Sequence, residues 1–175
     1  MITTHKLRQQ GESPLGSDSC SVLFLDVDGV LNKCGFSTVS LMPELLERLV
    51  RIVEATDCRI VVSSTWRCFP KAMEELTRTL DDLGLVIHGV TPDLCRQTEG
   101  GIYLAKERGH EIQAWMDANG TPQRFVILDD NSDMAHLKDR LVQTNSFWGI
   151  TEETERAAIS ALNADVEPPM RKESK

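Results

Sequence analysis

A doubly wound parallel α/β sheet, Rossmann-like in plan, is the fold class this 175-residue sequence predicts. Three observations predict it. Short apolar runs of strand length alternate with segments whose apolar residues recur at helical spacing. The runs are continuous, as expected of strands covered on both faces. Three of them end abruptly in acids or hydroxyls, and a parallel sheet gathers its strand ends along one edge, where such folds bind ligands.

The elements follow in order. Val22-Leu23-Phe24-Leu25 is a first strand, closed by Asp26-Val27-Asp28-Gly29. Leu45, Leu46, Leu49, Ile52 and Val53 form the apolar stripe of a helix whose first turn suits Pro43. Ile60-Val61-Val62 is a buried strand ending in Ser63-Ser64-Thr65. Met73, Leu76, Leu80 and Leu83 mark a helix stopped by Gly84, and Leu85-Val86-Ile87 reads as the third strand. Ile112, Trp115 and Met116 lie on a helix ending near Gly120. Phe125-Val126-Ile127-Leu128 is the fourth strand, ending in Asp129-Asp130, and Leu141-Val142 a short fifth. A last helix starts after Thr151, whose hydroxyl can cap it ahead of Glu152 and Glu153.

Length and composition set the frame. The chain suits one domain over 21–164, between a polar arm at 1–20 and a charged, proline-bearing tail at 165–175. Hydrophobic residues at 41% and charged ones at 26% exclude wholesale disorder. No stretch reaches the roughly 20 apolar residues of a membrane helix. The first residues lack the apolar core of a signal peptide, so a soluble, cytoplasmic, monomeric protein is expected. A net charge of −8 argues against coating nucleic acid non-specifically, although it leaves room for a local basic groove. The five scattered cysteines contain no CxxC pair and read as incidental thiols.

The strand ends carry the chemistry. Asp26 and Asp28 share one side of an extended chain, and Gly29 permits a sharp exit. Asp129, Asp130 and, a turn later, Asp133 would meet them on the same edge. Two such charges about 4 Å apart repel by roughly 4 kcal/mol at an effective dielectric of 20, so the group calls for a cation. All-oxygen donors favour Mg²⁺ over Ca²⁺. A hydroxyl from Ser63 or Ser64 and a cationic head from Lys106 or Arg108 would complete a pocket for a dianionic phosphate. Arg67, Lys71 and Lys33 read as solvated surface charges, and Trp66 and Trp115 as core.

Leu23-Phe24-Leu25-Asp26-Val27-Asp28-Gly29-Val30-Leu31 resembles motif I of the haloacid dehalogenase (HAD) superfamily of phosphatases. Val61-Val62-Ser63 resembles its motif II, and Val126 to Asp133 its acidic motif IV. Ser63-Ser64-Thr65-Trp66-Arg67, Gly89-Val90-Thr91-Pro92, Arg108-Gly109-His110-Glu111-Ile112 with Trp115, and Leu141-Val142-Gln143-Thr144 with Gly149-Ile150-Thr151 are similar to the HAD domains of "Swiss Army Knife" RNA-repair proteins.

The resemblance implies a Mg²⁺-dependent phosphomonoester hydrolase. Asp26 would be the nucleophile that forms an aspartyl-phosphate, and Asp28 the general acid and then base. It further implies metal ligation by Asp26, the backbone carbonyl of Asp28 and Asp129 or Asp130, with Asp133 in support. Ser63 would bind phosphate, with Ser64 as the fallback and Arg108 favoured over Lys106 for the basic position. Arg pairs with phosphate through a planar fork, unlike the Lys usual in the superfamily. Val30 stands where many relatives carry Thr. The segment from Gly29 to Ile60 is too short for an inserted cap domain, so the site should be open to phosphorylated nucleic-acid ends or nucleotides. The competing expectation is a catalytically silent HAD-fold module that binds RNA or protein.

Overall fold

Five parallel strands follow the order β3-β2-β1-β6-β7 in the computed structural model, which describes residues 21–33, 40–97, 103–104 and 106–164. The expected arm at 1–20 and tail at 165–175 lie outside these residues. Strand β1 (Ser21–Leu25) leads to helix α1 (Pro43–Thr56), and strand β2 (Arg59–Val62) to a 3-10 helix (Thr65–Cys68) and helix α2 (Pro70–Asp82). Strand β3 (Ile87–Val90) is followed by a two-stranded hairpin, β4 (Arg96–Gln97) and β5 (Tyr103–Leu104), and then helix α3 (Arg108–Asn119). Strand β6 (Arg124–Asp129), a second 3-10 helix (Ala135–Arg140), strand β7 (Leu141–Gln143) and helix α4 (Glu152–Asn163) complete the order.

Alternation along the strands sorts the two faces. Leu23 and Leu25, with Ile60, Val62, Val126 and Leu128, meet α1, α2 and α4 in one cluster. Val22 and Phe24, with Val61, Phe125 and Ile127, meet Ile112, Trp115 and Met116 of α3 in the other. Phe24 stands edge-on to Trp115 at 5.5 Å and to Phe125 at 5.8 Å. Both faces of the sheet are therefore covered, as the continuous apolar runs require.

Two expectations need correction. The third strand begins at Ile87, because the Leu85 amide donates back to Leu80 O and finishes α2. Leu85 is thus buried as the helix stop, while Val86 faces solvent. As an edge strand β3 also alternates in burial. The β4–β5 hairpin was not expected at all: two-residue strands carry almost no periodic signal.

Among the described residues no helix is long and apolar enough to cross a membrane, and no cap domain is inserted.

Candidate active site

The order of the sheet reverses between β1 and β6, and ligands of such folds bind beyond the strand ends at that reversal. Asp26 and Asp129 sit at those two ends. Register holds the tips in place: the Asp26 amide donates to Leu128 O at 3.0 Å, that of Ser63 to Leu25 O at 2.8 Å, and that of Thr144 to Asp129 O at 2.9 Å. Ligand oxygens of Asp26, Asp129 and Asp130 lie within 4.8 Å of one another, although Asp26 and Asp129 are almost wholly buried.

Gly29 makes this possible. It adopts φ +70°, and a Cβ there would stand 2.4 Å from Asp130 Oδ2. Gly109 does the same for the basic partner: a Cβ would lie 2.0 Å from Met134 O, so only glycine lets the start of α3 approach the segment after β6. Asp133 then binds that helix end, accepting from the Arg108 amide through Oδ2 and from the Gly109 amide through its carbonyl, each at 3.2 Å. Asp133 thereby anchors the helix start, outside the three-carboxylate group.

Arg108 enters the cluster and Lys106 stays exposed. Its Nη1 lies 2.9 Å from Asp26 Oδ1 and donates to Ser63 O at 2.5 Å, while its Nε faces Asp129 Oδ2 at 3.2 Å. One guanidinium does not satisfy three acids. Asp129 Oδ1 accepts from the Asn131 amide at 2.9 Å, but Oδ2 is buried without a hydrogen bond. Burial, reinforced by the Asp26 charge, pushes the Asp129 carboxyl up to about 8. Asp130 is raised too, chiefly by burial and then by Asp26. A buried carboxylate oxygen that is ion-paired but not hydrogen-bonded, within an all-oxygen donor set, fits a hard divalent ion. Asp26, Asp129 and Asp130 would hold Mg²⁺.

Asp28 is not one of those three acids and is held by neighbours of its own. Its Oδ2 accepts from Trp66 Nε1 at 3.0 Å, and its Oδ1 from Asn32 Nδ2 at 2.7 Å. Asn32 also accepts the Gly29 amide at 3.0 Å, closing the turn. Sequence reading assigned no role to Asn32, and took Trp66 as core alone; Trp66 is core, but its indole N–H also orients Asp28.

The two serines part company. Ser63 Oγ is buried with no hydrogen-bond partner, whereas Ser64 Oγ accepts from the Trp66 amide and caps the first 3-10 helix. The free hydroxyl is thus that of Ser63. Arg67 is not the solvated charge expected. It is buried, donates through Nη1 to Ser63 O and Ser64 O, and pairs with Glu111 Oε2 at 2.5 Å. Its role depends on α3, far away in sequence, so no local pattern signalled it.

Residues 22–154 match the family model for the HAD domain in Swiss Army Knife RNA repair proteins. The chain belongs to this family. Its HAD fold also resembles the crystal structure of a candidate HAD-like phosphatase from Mesorhizobium loti, with a TM-score of 0.56 and 17% identity over 91% of this chain and 94% of that one. Among curated proteins none matches. The three acids, the Arg108 guanidinium and the free Ser63 hydroxyl lie at the sheet edge where the strand order reverses.

Proposed function

We propose that this HAD domain hydrolyses phosphate monoesters by two displacements at phosphorus. The observation that supports it most is the convergence of Asp26 and Arg108 with an unpartnered Ser63 hydroxyl: a nucleophile, a cation and a donor at one sheet edge. Ser63 Oγ donates to a phosphoryl oxygen, and Arg108 shares its fork between the phosphate and Asp26. A carboxylate oxygen of Asp26 attacks phosphorus, the ester P–O bond breaks, and Asp28 delivers a proton to the departing oxygen. Water then attacks the aspartyl-phosphate while Asp28 takes its proton, releasing phosphate and restoring Asp26. Mg²⁺, when bound, supplies charge neutralisation for the phosphoryl oxygens.

Nucleic-acid ends are the proposed substrates. The family description points to RNA repair, and the structure offers a platform. Phe147 and Trp148 are 62% and 65% exposed in the turn after β7, closed by the Asn145–Gly149 bridge. That turn is stitched to the site, with Thr144 Oγ1 donating to Gly29 O at 2.7 Å and the Ile150 amide to Val30 O at 3.1 Å. Adjacent exposed rings suit stacking, and a base stacked on an aromatic ring contributes about 1–3 kcal/mol.

The test is phosphate release with Mg²⁺ from aryl phosphates, nucleotides and 3′- or 5′-phosphorylated RNA. RNA ends should turn over at the highest kcat/KM. Replacing Phe147 and Trp148 by Ala should raise KM about tenfold for RNA and leave aryl phosphates unchanged. Asp26→Asn should release no phosphate; retained turnover would remove Asp26 as the nucleophile. Equilibrium binding of RNA with no metal-dependent turnover would replace the phosphatase with a binding module.

A further inference from the structure

A second group of ligand-bearing side chains lies behind the phosphate-binding segment. Ligand atoms of Asp93, Cys95 and Glu111 fall within 4.8 Å of one another, and Cys68 Sγ is 3.5 Å from Asp93 Oδ2. Cys68 ends the first 3-10 helix, Asp93 and Cys95 follow β3, and Glu111 belongs to the first turn of α3. We propose that this group is a binding site for a thiophilic divalent cation such as Zn²⁺, with Cys68, Asp93, Cys95 and Glu111 as its ligands.

The donor set separates this site from the carboxylate cluster. Two sulfurs and two carboxylates match the softer preference and four-fold coordination of Zn²⁺, whereas Mg²⁺ takes oxygen. A tetrahedral ion with bonds of about 2.0–2.3 Å sets its ligands roughly 3.3–3.8 Å apart, so Asp93, Cys95 and Glu111 need move only about 1 Å, and Cys68 joins them from beside Asp93. The backbone brings them together: Asp93 Oδ1 accepts the Cys95 amide at 2.9 Å, and Glu111 Oε1 accepts the Leu94 amide at 3.1 Å. Each carboxylate retains lone pairs for a metal after these bonds. Both thiols are exposed, leaving a path of entry.

As each sulfur–metal bond forms, its S–H proton passes to solvent. Occupancy would also stiffen the active site, since Glu111 holds Arg67, and Arg67 holds the carbonyls of Ser63 and Ser64.

Co²⁺, which mimics Zn²⁺ and absorbs visibly, is the probe. The reduced full-length protein is titrated with Co²⁺ under excess Mg²⁺ and followed by absorption, with Zn²⁺ as the displacing ion. The expected result is one equivalent giving a thiolate-to-cobalt charge-transfer band and tetrahedral visible bands, both abolished by Zn²⁺. Cys68→Ser and Cys95→Ser should each weaken binding about 100-fold, and Asp93→Asn about tenfold. Asp129→Asn should leave the band unchanged, which separates this site from the proposed Mg²⁺ site. Absence of a thiolate band in the wild type needs no variant to fold and overturns the proposal. So does a band that survives the double Cys→Ser variant, or one lost in Asp129→Asn.

Discussion

Two buried acids of this molecule have opposite surroundings. Glu155 of α4 accepts from Arg48 Nη1 at 2.6 Å and from Arg51 Nε and Nη2 at 2.7 and 3.0 Å. The hydrogen bonds from Arg51 lead the effects that hold it below the usual carboxylate range. Asp129 shares one guanidinium with Asp26, keeps an oxygen without a hydrogen bond, and is pushed up to about 8, first by burial and then by the Asp26 charge. One acid is compensated and ties two helices together. The other is left short of positive charge at the sheet edge where ligands bind. Incomplete compensation is a cost to the fold, and it is also affinity held ready for a cation.

The contrast should be widest in turnover. Asp129→Asn is expected to lower kcat about 10²–10³-fold in Mg²⁺, while Glu155→Gln stays within about twofold; equal losses would erase the distinction. Stability should separate them with opposite signs. In EDTA, Glu155→Gln is expected to lose about 1–2 kcal/mol, discounted because Arg48 and Arg51 are partly exposed, and Asp129→Asn to gain about 1 kcal/mol. Denaturant melts measure both.

Tm against pH in EDTA sharpens the same pair. The lowered Glu155 contributes stability above its ordinary value of 4.5, and this is lost as pH falls below it. For the raised Asp129 the sign reverses: its favourable state is fully present below 3.8 and lost as pH rises towards about 8. Glu155→Gln should therefore flatten the acid limb, and Asp129→Asn the decline between the two Asp129 values. Saturating Mg²⁺ should abolish that decline in the wild type. A smaller loss of turnover than that of Asp129→Asn is expected from Trp66→Phe, which removes the indole donor to Asp28 and should lower kcat about tenfold at unchanged KM. A shift in KM alone would make Trp66 a packing residue only.

Much of this was legible in the chain because it is local. A continuous apolar run followed by Asp-x-Asp-Gly specifies both a buried strand and an acidic tip, and the parallel sheet then does the gathering. Thr151 capping α4 and Pro43 opening α1 are equally local, and the structure has both. The parts that escaped depend on partners distant in sequence. Arg67 looked like surface until Glu111 of α3 came to meet it, and Cys68 and Cys95 looked incidental until the segment after β3 folded back. The resemblance already favoured Arg108 over Lys106; what it could not supply is the geometry, with Gly109 letting α3 start against Met134 O.

The strand order has a further consequence, for the newly made chain. Among the described residues β1 is the first strand in sequence yet central in the sheet, and its second neighbour, β6, begins only at Arg124. While the ribosome is still adding the residues before it, β1 can pair with β2 alone and shows an open, apolar edge to other chains. The mutual repulsion of Asp26 and Asp129 is also deferred until β6 docks. Closing the carboxylate cluster and closing the sheet are thus one late event, the stage at which folding assistance would matter most to the yield of folded protein.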